Sequence, residues 1–516
     1  MAILKRCLRF LFEGGEAVFD RAFGQSGNPF YWLGALGWYF FWIVAASGIY
    51  LYIFFDTGVT DAYASLEYIT HEQWYAAGVM RSLHRYASDA LVVIVFLHLA
   101  REFAFDRLRG KRFFAWITGV PLLFFVYLCG ISGYWLVWDQ LAQYVAIATT
   151  EWLDTLPIFA EPIANNFLDS TVLSGRFFTL MVYIHIFVPL FMLLMMWIHI
   201  QRHARARVNP PRELAIGTGI MLAALSLVHP AVSQAPADLD LVPATVGFDW
   251  FYLFPYPLLE ILPGGQLWLL VLGGMLLLAL LPWLPPMRPP RPAVVSLDNC
   301  NGCARCFDDC PFGAISMVPR SDGKAYDTEA AVNSDNCVAC GLCVGACPTS
   351  TPFRRATEMV PGIDLPDRPL AALREEIVAA GQTVGEGARV LVFACRHCGA
   401  ADLRGEGVPV LEMPCVAMLP PAFIDFALSR KLADGVLLAG CAAGDCHYRL
   451  GDEWLRQRLT GERDPYLRSR VDRSRLQVVN THAGSRRARR RALEALRARL
   501  AAATDSDTGG GSGDAA

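Results

Sequence analysis

The first half of the chain is built from long apolar runs, the second half from short alternating ones. Six runs, at about 30–55, 79–101, 113–137, 176–200, 213–230 and 266–284, each predict a membrane-crossing helix, because a span takes about 20 mostly apolar residues. The loops between them differ in charge. Arg101, Arg107, Arg109, Lys111 and Arg112 follow the second run, Arg202, Arg205, Arg207 and Arg212 the fourth, and Arg288 and Arg291 the sixth. The opposite loops hold Asp56, Asp61, Asp139, Glu151, Asp154, Asp169, Asp238 and Asp240. Basic loops stay on the cytoplasmic side. The N-terminus and everything after the sixth run are therefore expected in the cytoplasm, at the inner (cytoplasmic) membrane of a prokaryote. Residues 1–23 mix Lys5, Arg6, Arg9, Glu13, Glu16 and Arg21 with apolar positions, which predicts an amphipathic helix on the membrane surface rather than a cleavable signal.

Beyond 286 the pattern changes. Residues 285–295 are proline-rich and predict a stiff exit from the membrane. Strands are expected at 389–393, 408–413, 435–440 and 476–480, with helices at about 420–431 and 450–460 between them. That alternation predicts a small parallel α/β sheet. The fold class is multidomain: an all-α bundle of six transmembrane helices over 24–286, a small α+β domain over 296–350, a linker over 351–387, the α/β domain over 388–503, and a disordered tail over 504–516.

Polar chemistry inside the apolar runs is sparse, and histidine dominates it. His84 and His98 lie fourteen residues apart on the second run, and His185 and His199 repeat that spacing on the fourth. Fourteen residues of α-helix rise about 21 Å and return to nearly the same face. One intervening span makes the two helices parallel, so the four imidazoles fall at two depths, as two bis-histidine haems require. Ionisable groups inside a membrane are rare and usually functional. This arrangement resembles the cytochrome b family of quinol-oxidising complexes. Gly34 and Gly48, and likewise Gly119 and Gly133, sit fourteen apart on the first and third runs. Glycine there lets a flat macrocycle approach the backbone. The resemblance implies that Arg81 and Arg101 pair with haem propionates. It further implies a cytochrome b-like bundle holding two b-type haems, quinone as substrate, and a homodimer. The segment Phe248-Asp249-Trp250-Phe251 aligns with the family's PEWY motif, with Pro263-Gly264-Gly265 following. Asp249 stands where that motif carries glutamate, and is the candidate quinol proton acceptor. The loss of the motif's proline, glutamate and tyrosine puts outer-site quinol chemistry in doubt.

Cysteine changes the picture again. Of fifteen, thirteen lie after residue 299, and in a reducing compartment such clusters mean metal. Cys300-x2-Cys303-x2-Cys306-x3-Cys310-Pro311 is repeated as Cys337-x2-Cys340-x2-Cys343-x3-Cys347-Pro348. This is the bacterial two-cluster ferredoxin pattern, in which the fourth thiolate of each copy serves the other cluster. Cys300, Cys303, Cys306 and Cys347 are expected to hold one [4Fe–4S] cluster, and Cys337, Cys340, Cys343 and Cys310 the second. Cys395, Cys398, Cys415, Cys441 and Cys446 follow the predicted strands of the last domain, at the sheet edge where ligands bind. Around Gly440-Cys441-Ala442-Ala443-Gly444-Asp445-Cys446-His447-Tyr448 the sequence resembles the delta subunit of methyl-viologen-reducing hydrogenases. That resemblance implies a [2Fe–2S] cluster and electron transfer to a heterodisulfide-reductase-type flavoprotein. Structural zinc is the alternative, and which cysteine is spare stays open.

Hydrophobic residues make up 54% of the chain and charged ones 18%, but the net charge of −3 averages two unlike halves and decides nothing. No nucleotide-binding glycine motif, flavin site or nickel-ligand set is evident. The expected function is a membrane electron-transfer subunit linking the quinone pool of a respiratory chain to a soluble cytoplasmic flavoprotein or heterodisulfide-reductase-like complex. The alternative is the membrane-anchoring cytochrome subunit of a hydrogenase or other dehydrogenase. Nothing points to nucleic acid. The exit after 284 reaches Cys300 in about fifteen residues, which can span at most about 50 Å, so the His98/His199 haem is the expected gateway to the clusters.

Overall fold

A computed structural model describes residues 2–109, 112–158, 162–163, 175–201, 207–243, 245–284, 290–353, 359–382 and 388–509. Lys111, Asp169, Arg202, Arg205 and Arg288, and the first five residues of the proline-rich exit, lie outside these. The chain forms two compact units, one over residues 32–202 and 206–286, the other joining residues 1–31 to 287–516. Each is taken by itself.

The second unit begins with helix α1 (Ala2–Gly27), which breaks its helical geometry at Gly24. In the first unit, α2 (Leu33–Tyr52), α3 (Asp61–His71), α4 (Val79–Ala104), α5 (Phe113–Val137), α6 (Gln140–Asp154), α7 (Gly175–Gln201), α8 (Arg212–Val228), the short α9 (Trp250–Leu253) and α10 (Tyr256–Leu259), and α11 (Gly264–Leu280) follow. All six predicted spans are helices. Four are long and apolar enough to cross a membrane: Pro29–Tyr52, Phe113–Val137, Phe178–Gln201 and Gly264–Trp283. The α4 helix has the length but carries Arg81, Arg85, Asp89, Arg101 and Glu102, and α8 has only 17 residues. Two helix pairs build the bundle, α2 on α4 and α5 on α7. Asp139 starts α6 by accepting a hydrogen bond from the Ala142 amide, which satisfies one of the free donors of the first turn. The helices pack around Leu36, Phe40, Leu91, Val126, Phe178 and Met192.

In the second unit, β2 (Ile315–Pro319) pairs antiparallel with β3 (Thr328–Val332), after β1 (Val294–Val295) and the short α12 (Arg305–Asp309). The short α13 (Leu342–Ala346) follows. The predicted linker is ordered wherever it is described. Its β4 (Ile363–Asp364) pairs with β1, and α14 (Leu370–Gln382) buries Leu370, Leu373 and Ile377 in a core shared with the last domain. Those apolar positions recur at three- and four-residue steps, so the segment had a face to bury.

The last domain matches its expectation closely. Strands β5 (Val390–Cys395), β6 (Val410–Met413), β7 (Gly435–Gly440) and β8 (Leu476–Asn480) form one parallel sheet in the order β6-β5-β7-β8. Helices α15 (Pro421–Ser429), α16 (Gly451–Thr460) and α17 (Arg486–Gly509) complete it. β5 and β7 are buried throughout, as parallel strands covered on both faces are. The tail differs from expectation: Ala501, Ala502 and Ala503 carry α17 on to Gly509.

The N-terminal helix also does more than the sequence predicted. Gln25 Nε2 donates to the Asn480 carbonyl, the Ala443 amide donates to Gln25 Oε1, and Asp20 lies 3.8 Å from His482. Its polar positions therefore bind the last domain, while Ile3, Phe10, Leu11 and Val18 stay exposed.

Candidate functional site

Packing brings the four histidines together in two pairs. His84 on α4 and His185 on α7 have ring centres 6.3 Å apart. A metal–imidazole bond is about 2 Å and the ring centre lies about 1.2 Å behind the nitrogen, so two rings on one metal stand about 6.4 Å apart. The pair thus has the spacing at which two imidazoles could hold one metal ion between them. His98 and His199 likewise lie within electrostatic reach of one another.

Behind each imidazole is one of the four glycines. A Cβ on Gly48 would lie 2.9 Å from His84 Cε1, on Gly133 3.0 Å from His185 Cε1, on Gly34 3.4 Å from His98 Cε1, and on Gly119 3.4 Å from His199 Cε1. The glycines were expected to admit a macrocycle. The contact they relieve is with the histidine ring itself.

The opposite ring nitrogens have partners the sequence reading missed. His84 Nδ1 lies 3.0 Å from the Val44 carbonyl and 3.2 Å from Ser47 Oγ. His185 Nδ1 lies 3.1 Å from Ser132 Oγ, and His199 Nδ1 2.9 Å from Thr118 Oγ1. Bonds at Nδ1 fix the ring plane and leave Nε2 available to a metal. In each case the hydroxyl residue directly precedes the glycine, so Ser-Gly and Thr-Gly were the signal. Leu33 precedes Gly34, and His98 has no such hydroxyl.

Arg81 is buried and donates to the Leu66 carbonyl, Thr70 Oγ1 and Ser233 Oγ. Arg101 is buried with its guanidinium over the Phe105 ring. Asp249 caps α9 through the Phe251 amide at 2.7 Å and is ion-paired to Arg85 at 2.6 Å. Tyr134 OH donates to the same carboxylate oxygen that Arg85 holds. Asp89, one helical turn from Arg85 and 3.6 Å away, has a buried carboxylate oxygen with no hydrogen-bond partner among the described residues.

The ferredoxin-like cysteines fall into two groups. Cys300, Cys303, Cys306 and Cys347 line one cavity; Cys310, Cys337, Cys340 and Cys343 line another. Burial pushes the Cys306 thiol up to about 12 and the Cys343 thiol well above its usual range. Thiols this reluctant to ionise need a cation to become ligands, and a bound metal supplies it.

In the last domain the sheet register aligns Cys395 with Met413 and Gly440 with Asn480, so the cysteines just past the strands meet at one edge. Four of them gather as a ring of thiols, Cys395 and Cys446 each interacting electrostatically with Cys415 and Cys441. Cys395 Sγ and Cys441 Sγ are 3.6 Å apart. Cys398 stays outside the ring. Its thiol donates to the carbonyls of Cys395 at 3.1 Å and Ala439 at 3.4 Å, and burial pushes it up to about 12. The basic run of α17 is not wholly solvated. Arg489 is buried, binding Asp402 and the carbonyls of Cys398, His482 and Ala483.

Imidazole pairs in an apolar helical bundle and thiol sets in the other unit define a membrane electron-transfer protein. Residues 19–232 match the family described as cytochrome b/b6/petB, residues 299–351 the 4Fe-4S dicluster domain, and residues 390–502 the methyl-viologen-reducing hydrogenase delta subunit. These matches make the chain a fusion of three kinds of domain, of which the cytochrome b part implies haem and the dicluster part iron–sulfur clusters. Among solved structures, a chain of a hyperthermophilic respiratory complex III is similar over 49% of this chain and 75% of its own, at 23% identity and a TM-score of 0.40.

Proposed function

We propose that the protein links the quinone pool to a soluble cytoplasmic flavoprotein or heterodisulfide-reductase-like complex. The observation that carries this reading is the 6.3 Å spacing of His84 and His185, with a second facing pair, His98 and His199, fourteen residues further along the same two helices. Each pair would hold one b-type haem. Cys300, Cys303, Cys306 and Cys347 would hold one [4Fe–4S] cluster, Cys310, Cys337, Cys340 and Cys343 a second, and Cys395, Cys415, Cys441 and Cys446 a [2Fe–2S] cluster. When bound, these groups supply one-electron chemistry. The six helices would cross the cytoplasmic membrane, with the iron–sulfur half on the cytoplasmic side.

The protein's own residues then have definite tasks. Ser47, Ser132 and Thr118 hold three imidazoles in register. The four glycines leave those rings room. At the outer site Asp249 would be the proton acceptor for quinol, its carboxylate held in place by Arg85 and Tyr134. Asp89, also beside Arg85, has its other carboxylate oxygen buried without a hydrogen-bond partner among the described residues and would be a site for a second proton.

The test is direct. Purified protein should contain two b haems per chain by pyridine haemochrome assay, and added quinol should reduce them. A dithionite-minus-oxidised spectrum without a b-type α band would end the proposal.

The glycine contacts give a graded result. Gly48→Ala forces a methyl to 2.9 Å from His84, closer than real side chains come, so His84 must move and the outer haem should be lost. Gly34→Ala places its methyl 3.4 Å from His98, an ordinary contact, and both haems should remain. Equal haem content in the two variants would contradict this.

A further inference from the structure

Between the second ferredoxin-type cysteine set and the ring of four thiols lies a charge with no evident folding purpose. Arg458 on α16 is fully buried. Its Nη1 donates to the Ala417 carbonyl at 2.7 Å, and its Nη2 donates to the Leu342 carbonyl at 3.3 Å and to Asp309. Each partner adjoins a ligand: Asp309 precedes Cys310, Leu342 precedes Cys343, and Ala417 lies two residues after Cys415. One guanidinium thus touches the backbone beside ligands of both centres.

The two sets are close neighbours. The first turn of α13 presses on the turn after Cys415, where a Cβ on Gly345 would collide with the Ala417 carbonyl and the Arg458 guanidinium. A Cβ on Gly451 would collide with Cys415 Sγ, lie 3.1 Å from Cys446 Sγ, and sit 3.8 Å from Leu342. Cys340 and Cys446 interact electrostatically.

The local charge does not cancel. Arg463 also binds Asp309, so two cations share one carboxylate. Burying a charge is costly, and a whole buried ion pair can often be replaced by apolar residues of similar volume without loss of stability. Packing alone therefore does not call for arginine here. In an interior of low dielectric, a cation acts strongly on nearby charge.

We propose that Arg458 is a positioning residue for electron exchange between the Cys310/Cys337/Cys340/Cys343 centre and the Cys395/Cys415/Cys441/Cys446 centre. It locks the two against each other, and its positive charge favours the electron on either. The exchange moves one electron from the first centre to the second, or back, and makes or breaks no bond. The proposal rests on the reading that both cysteine sets hold iron–sulfur clusters.

The test uses full-length protein in detergent, with iron and acid-labile sulfide assays and an EPR-monitored redox titration. Arg458→Met should keep the wild-type iron content and shift both centres toward the oxidised form by at least tenfold, about 59 mV for a one-electron couple. Arg458→Lys, which keeps the charge, should stay within threefold of wild type. A Met variant with full iron and both equilibria within threefold of wild type overturns the proposal. Should Arg458→Met lose iron, Asp309→Asn decides. That variant keeps the guanidinium and removes a negative charge, so both centres must shift toward the reduced form; no shift, or the opposite shift, overturns the proposal. Wild-type protein lacking iron at these cysteines would instead defeat the reading beneath it.

Discussion

In the His199→Ala protein, quinol should no longer reduce the iron–sulfur half at more than about a hundredth of the wild-type rate, while a soluble reductant still reduces it fully. His199 is paired with His98, supported by Thr118 at 2.9 Å, and backed by Gly119. Its loss leaves His98 without an opposing ligand and should empty the inner pair. The outer pair stands about 21 Å away along the helices and keeps both rings and both hydroxyl supports, so it should stay filled. A pyridine haemochrome assay should fall from two haems to one, and stopped-flow spectroscopy should separate the two routes of reduction. Should the variant lose one haem yet pass electrons from quinol to the clusters at the wild-type rate, the inner pair is not the gateway.

Replacing Cys415 and Cys398 separately by serine should give opposite results. Cys415 interacts electrostatically with two other thiols of the ring, and without it the terminal centre should disappear from the EPR spectrum while the two ferredoxin-type centres persist. Cys398 faces two backbone carbonyls, which a serine hydroxyl can satisfy equally well. The Cys398→Ser protein should therefore keep all its iron. A terminal centre lost in Cys398→Ser and retained in Cys415→Ser would reverse the ligand assignment.

Periodicity carried much of this architecture. The six long helices and the four parallel strands were legible because apolar residues recur at the spacing their geometry demands. The paired histidines were legible because fourteen residues return a helix to one face. Buried cations were not legible. Arg458 meets Asp309 across 149 residues and Arg489 meets Asp402 across 87, and no local pattern marks either. Arg489 also lies within the run Arg486–Arg491, whose composition reads as a wet surface. The hydroxyls at Ser47, Thr118 and Ser132 were visible beside their glycines, but their meaning depends on which ring each faces. The grip of Arg85 on Asp249 joins residues 164 apart. Only the fold shows that the motif aspartate is already occupied.

With a haem at each of the two proposed levels, the spacing of the histidines along α4 and α7 would also make the protein a voltmeter. Two levels about 21 Å apart span roughly two thirds of a hydrocarbon core about 30 Å thick. An elementary charge crossing the whole membrane at 100 mV gains or loses about 2.3 kcal/mol. An electron passing between the levels feels about 1.5 kcal/mol of that, roughly a tenfold bias in where it rests. An energised membrane, positive outside, would hold electrons at the outer level and hinder their passage to the cytoplasmic one. Dissipating the potential would release them, so on the proposed reading the fourteen-residue interval would tie the direction of flow to the energy state of the cell.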